Sequence, residues 1–232
     1  MQAKLFHRDA RHHYREETGG RVEMNTKAEH PHIATIDFEE FYRPLFPTEV
    51  ESKQFSERVE SALDSQRPVK EVFHQAARLT WLGDRINEIA AGRPALQILL
   101  YLIAAETIAK LTYKFEGRGR SREYVHAFFE KLCGDEDQSV LASAFSESFG
   151  RRPLSLSEAV DLLYDVRCDV AHRGMYYVFI LPLDQQDYPE LVNVGEVTVE
   201  TMLTLGTLRR IVLRGALRAC SMIMGDLPVP AL

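Results

Sequence analysis

The sequence predicts an all-α fold: a helical bundle with a small β-hairpin insertion near residues 175–199. Three observations carry this expectation. From Glu51 onward the apolar residues recur at helical spacing. Residues 94–115 are apolar nearly all round, as suits a helix at the centre of a bundle. Ser155-Leu156-Ser157-Glu158 has the Ser-x-x-Glu form of a capping box and opens a further amphipathic run.

The elements follow in order. Residues 1–34 lack apolar periodicity, mix charges of both signs and contain Gly19-Gly20, the composition of a flexible tail. Their histidines His7, His12 and His13 fit a mobile polar tail better than a metal site. Met24 is a candidate natural start, which would make the preceding residues an upstream extension. Residues 35–50 hold the aromatic and acidic run Ile36 to Pro47. Pro44 and Pro47 oppose a long helix there, so an extended arm is expected, packed on its own domain or on a protein partner.

The helical domain is expected over 51–232. Phe55, Val59, Ala62 and Leu63 form a first stripe; Val69, Val72, Phe73, Ala76, Leu79, Thr80 and Gly83 form a second, ending near Gly92. Pro94 suits the first turn of the next helix. A basic loop, Gly117 to Arg122, leads into a helix with Tyr124, Val125, Phe128, Phe129 and Leu132, then a shorter one over Ser139 to Ser148. The capped helix buries Ala159, Leu162, Leu163, Val166 and Val170, and Gly174 can end it in a left-handed conformation. Met175 to Leu183, rich in β-branched and aromatic residues, reads as a strand that pairs with Val192 to Val199. A last helix runs from about Val199 to Met224, with Arg210, Arg214 and Arg218 on a solvent face.

Composition narrows the function classes. The 232 residues are 45% apolar, enough to bury a domain core. A net charge of -6 argues against a protein that coats nucleic acid over its whole surface and leaves room for a local basic site. Cys133, Cys168 and Cys220 are odd in number and form neither CxxC nor a zinc spacing, so reduced thiols, a cytoplasmic setting, no metal and no cofactor are expected. The N-terminus lacks the apolar core of a signal peptide. Ala95 to Leu111 carries Glu106 and Lys110 and reads as a buried helix, with no membrane contact expected. GxGxxG, GxxxxGK, GxSxG and HExxH are all absent.

What remains is Arg167 and His172 at the end of the capped helix. Unpaired carbonyls at a helix C-terminus favour a cation there, and a histidine can give or take a proton near neutral pH. Arg167 supplies a permanent, fork-shaped cation that matches phosphate. The pair is a minimal kit for cleaving RNA without a metal, with the RNA's own 2′-hydroxyl as nucleophile. Five residues on an ideal helix lie about 140° apart. The two side chains therefore converge poorly unless the helix end unwinds or two subunits share the site.

Leu163 to Gly174, with Arg167-Cys168-Asp169-Val170-Ala171-His172 inside it, resembles the Arg-x4-6-His motif of HEPN domains. It is closest to the Apea-like and RiboL-PSP-like branch, where the motif reads Arg-Asn-x-x-Ala-His followed by Gly. The helix Leu99 to Leu111, with Ala105-Glu106, is similar to that family's earlier central helix. The resemblance covers roughly residues 51–225 in helix order. It implies a dimeric helical bundle and a metal-independent endoribonuclease, often of defence or toxin–antitoxin systems, with arginine and histidine from both subunits in one cleft. The chain departs from the pattern at Cys168, where the family usually has a polar residue. Some HEPN proteins are non-catalytic dimerisation or binding modules for a protein or nucleotide, and this alternative stays open.

Supporting roles are expected for Glu106, Cys168 and Asp169. A carboxylate as buried as Glu106 needs a partner, and an arginine such as Arg167 is the natural one. Cys168 reads as a small, partly buried filler. Arg118, Arg120, Arg122, Arg173 and Tyr176 are weak candidates to bind RNA, the arginines through phosphate and the tyrosine by stacking. A solvated loop and ordinary packing are the plainer readings of the same residues.

Overall fold

The computed structural model describes residues 36–225 apart from 63–66, 90, 116, 118, 149–151, 178 and 195–196. The expected tail, residues 1–34, lies outside the described residues, as does Arg118. Helices α1 (Phe38–Tyr42), α2 (Glu49–Glu60), α3 (Arg67–Ile89), α4 (Pro94–Tyr113), α5 (Ser121–Lys131) and α6 (Asp135–Ser143) come first. Strand β1 (Phe145–Glu147), helix α7 (Leu156–Cys168), strands β2 (Glu190–Val194) and β3 (Val197–Thr201) and helix α8 (Leu205–Met224) complete the chain. The architecture is mainly helical with a small β insertion.

α4 is the axis. It packs against α3, α5, α7 and α8. Ile98, Leu102, Ala104, Ala105, Ile108 and Ala109 are fully buried along it, and the alanines let its neighbours approach closely. Among the described residues it is the one helix long and apolar enough to cross a membrane. Its apolar surface is instead largely covered by the other helices.

Residues 36–48 are not an extended arm. Asp37 caps α1 by accepting from the Glu40 N–H at 3.2 Å, and Pro44 sits in a 3-10 turn, Arg43–Leu45, where a missing N–H costs little. Tyr42 is fully buried, stacks on Phe73 at 4.3 Å and donates its hydroxyl to the Phe73 carbonyl at 2.7 Å. The segment covers the chain's own core.

The β insertion also differs from the expected hairpin. Met175 to Leu183 forms no strand among its described residues: Phe179 and Leu181 are buried and Ile180 exposed, but Leu183, on the same parity as Phe179 and Leu181, is exposed. Both sides of β3 are already taken, by β1 and by β2 in antiparallel register (order β1-β3-β2). Pro182 also lacks the N–H a ladder needs. β1 comes from residues expected to be helical: α6 stops at Ser143, and Phe145 pairs with Thr201. The last helix starts at Leu205, not Val199, because Thr204 caps it by accepting from the Thr207 N–H at 3.1 Å.

Arg214 and Arg218 do not face solvent alone. They lie 3.1 and 3.7 Å from the buried carboxylate of Asp137 and tie α8 to α6. Nearby, an added Cβ at Gly215 in α8 would fall 2.5 Å from the ring of Phe128 in α5, which is fully buried and cannot swing away. Gly215→Ala should therefore destabilise the fold by about 1–3 kcal/mol through overpacking, despite its gain of about 1 kcal/mol in helix propensity. Urea unfolding of both proteins measures the difference.

Candidate active site at the end of α7

α7 begins with a complete capping box. Ser155 accepts from the Glu158 N–H at 3.3 Å, while the Glu158 carboxylate accepts from the Ser155 N–H at 2.8 Å. The guanidinium of Arg152 and the Ser155 donors hold the Glu158 carboxyl down at about 2. Ala159, Leu163 and Val166 are buried against the bundle. That face fixes the helix roll and so decides where Arg167 points.

It points at α4. Arg167 Nη2 donates to Glu106 Oε2 at 3.1 Å, the partner expected for this carboxylate. Lys110 and Ser121 donate to the other oxygen, Ser121 Oγ at 2.8 Å. Burial pushes the Glu106 carboxyl up, but the hydrogen bonds of Lys110 and Ser121 and the charges of Lys110 and Arg167 outweigh it. The group stays below its ordinary value. Arg167 Nε is buried without an acceptor among the described residues.

Beyond Cys168 the helix widens into a π turn, Asp169–Arg173, and Gly174 ends it at φ +66°. A π turn winds less per residue than an α turn, so His172 and Arg167 diverge by a smaller angle than on an ideal α-helix. His172 is exposed and makes no ion pair or hydrogen bond with a described residue. Cys168 is partly buried and, like Cys133 and Cys220, a free thiol. Tyr164, one turn before Arg167, lies under two guanidinium groups, Arg167 at 5.3 Å and Arg122 at 5.0 Å. Burial, with Cys168 beside it, pushes the Tyr164 phenol up.

The other candidates scatter. Asp169 turns to Arg173 at 3.1 Å. Arg122 is bound by Asp161 at 2.9 Å and by Asp165, and Arg120 by Glu123. These two arginines are exposed and already paired with carboxylates. Tyr176 is exposed, edge-on to Tyr177 at 5.9 Å. No cluster of three or more potential metal ligands occurs among the described residues.

Sequence reasoning missed Lys110, Ser121 and Tyr164 as parts of this site. Lys110 and Tyr164 carried a signal, since they stand four and three residues from Glu106 and Arg167 on their helices. Ser121 carried none, because only the path of the α4–α5 loop brings it to Glu106.

No protein-family model, curated protein or solved structure matches this chain.

Removing the charge at Glu106 leaves Arg167 and Lys110 without their shared partner in a mostly buried setting. Glu106→Gln should cost about 3 kcal/mol at neutral pH. The sign with pH follows from the lowered carboxyl. Its stabilisation is complete above the unfolded carboxylate value of about 4.3 and is lost as pH falls through the lower folded value. Urea unfolding of wild type between neutral pH and about pH 3 should show this loss, and Glu106→Gln should flatten it.

Proposed function

We propose that this chain is a HEPN-like, metal-independent endoribonuclease that works as a homodimer in the cytoplasm. The observation that carries the reading is Arg167 anchored on Glu106 at the head of a π turn that carries an exposed His172 with no partner among the described residues. Arg167 is a positioned phosphate cation whose Nε has no acceptor. His172 is open to solvent and able to move a proton.

The reaction needs three things: a nucleophile, proton transfer and charge stabilisation. The RNA's 2′-hydroxyl attacks the adjacent phosphorus and loses its proton to a base. The P–O5′ bond breaks, and the leaving 5′-oxygen gains a proton from an acid. Arg167 neutralises the charge that develops on the phosphoryl oxygens. The products are a 2′,3′-cyclic phosphate and a 5′-hydroxyl. His172 of one chain takes one proton-transfer role and the same residue of a second copy takes the other, so the complete site belongs to a dimer.

A second reading has its own support. Arg120 and Arg122 are neutralised by carboxylates, and Cys168 stands where the family has a polar residue, as suits a non-catalytic dimerisation or binding module.

Incubation of the purified protein with mixed RNAs in EDTA separates the two. The nuclease reading expects cyclic-phosphate ends, a rate lowered about 100- to 10,000-fold by His172→Ala, and a loss of about 100-fold or more for Arg167→Ala. Intact RNA, or equal cleavage by wild type and His172→Ala, gives the case to the binding module.

A further inference from the structure

The C-terminal end of α4 and the outer face of α5 carry chemistry that Arg167 and His172 do not use. A groove of about 570 Å³ lies there, lined among others by Phe115, Tyr124 and Lys131, and by the carboxylates Glu123 and Glu130, which are paired to Arg120 and His126. Phe115 stacks on Tyr124 within it at 5.0 Å and 15°, and Tyr113, outside the lining, extends the run of rings at 5.4 Å from Phe115. Tyr113 and Phe115 are half-buried, so part of each ring is open.

Cations flank this run. Lys131 Nζ stands 5.6 Å over the Tyr113 ring, and Lys110 Nζ stands 5.0 Å over Tyr124. Lys114 closes α4 at φ +52°, a left-handed position that glycine ordinarily takes. Lys114 and Lys131 are exposed, and neither makes an ion pair with a described residue. They differ in this from Arg120 and Arg122, which also line the groove but are held by Glu123, Asp161 and Asp165.

We propose that this cation-flanked aromatic groove is a docking platform for single-stranded RNA, with a base stacked on Phe115 and Tyr113 and phosphates held by Lys114 and Lys131. Stacking is indifferent to base identity and needs an unpaired base, so the ligand is a single strand and not a duplex. The proposal rests on the reading of Arg167 and His172 as an RNA-cleaving pair. The groove joins that pair through Lys110, which touches both Tyr124 and Glu106.

The test is fluorescence anisotropy with a short labelled single-stranded RNA, in EDTA and in a His172→Ala background. Phe115→Leu keeps an apolar contact and removes the ring; it should weaken binding about tenfold. Lys131→Gln should weaken it and lower the slope of log affinity against log salt by about 0.7. Phe115→Tyr should bind as the parent does, and thermal unfolding should show each variant folded. Unchanged affinity in both Phe115→Leu and Lys131→Gln, equal affinity for a duplex, or no RNA binding at all would overturn the platform.

Cleavage is read separately in the His172 background. Groove-dependent binding without cleavage leaves the platform standing and removes the nuclease. Cleavage with groove-independent binding does the reverse.

Discussion

A single carboxylate in the most apolar helix constrains much of what surrounds it. α4 is buried on most sides, and a charge there is costly unless several partners meet it. Glu106 is met by three donors from three elements: Lys110 from its own helix, Ser121 from the start of α5 and Arg167 from the end of α7. The network therefore registers α5 and α7 against α4 at one level of the bundle. Two cations on one carboxylate also leave a net positive charge there. The same contact stabilises the fold and holds an arginine in place, which is the condition for any chemistry that uses Arg167 as a fixed cation.

α7 answers two demands that an ideal helix cannot meet together. Leu163, Val166 and Val170 must stay on the buried face, while Arg167 and His172 need to approach one side. On a continuous α-helix the last two diverge by about 140°. The π turn at Asp169–Arg173 relaxes the conflict late in the helix, after the core-facing residues have fixed its roll. Gly174 then turns the chain in a left-handed conformation, and Met175 donates its N–H back to the Asp169 carbonyl at 3.1 Å. The end of α7 is therefore widened and capped, and the side chain it exposes is His172.

Much of this was legible before any coordinates. The helices with clear apolar stripes, α3, α4, α5 and α7, stand close to where periodicity put them, and the capping box at Ser155 forms as expected. The Glu106–Arg167 contact was legible because a buried carboxylate has few alternatives. The β insertion was not. Met175 to Leu183 has strand composition, but a strand also needs a free neighbour, and β1 and β2 already occupy β3. Phe145 to Glu147 pairs with β3 for the same non-local reason, though its sequence reads as a helix end. The ion pairs of Arg122 were not legible for a similar reason: its carboxylate partners Asp161 and Asp165 lie 39 and 43 residues away.

Those partners give the surface around Arg167 two unlike sides. Glu158, Asp161 and Asp165 recur along α7 and are tied to Arg152, Arg122 and His126. His126 faces Asp161 at 2.9 Å and Glu130 at 3.2 Å through its two ring nitrogens. This side is internally neutralised, so its Arg122 and His126 form one wall of the groove without offering free charge to a polyanion. On the other side, Lys110, Lys114 and Lys131 stand among aromatic rings at the end of α4. A chain with a net charge of -6 repels RNA at long range. Close contact then depends on a local patch where cations outnumber carboxylates and ring faces can take a base. At the α4 end Glu123 and Glu130 are taken up by Arg120 and His126, which leaves Lys114 and Lys131 beside the rings, and Lys110 links the patch to the carboxylate that anchors Arg167.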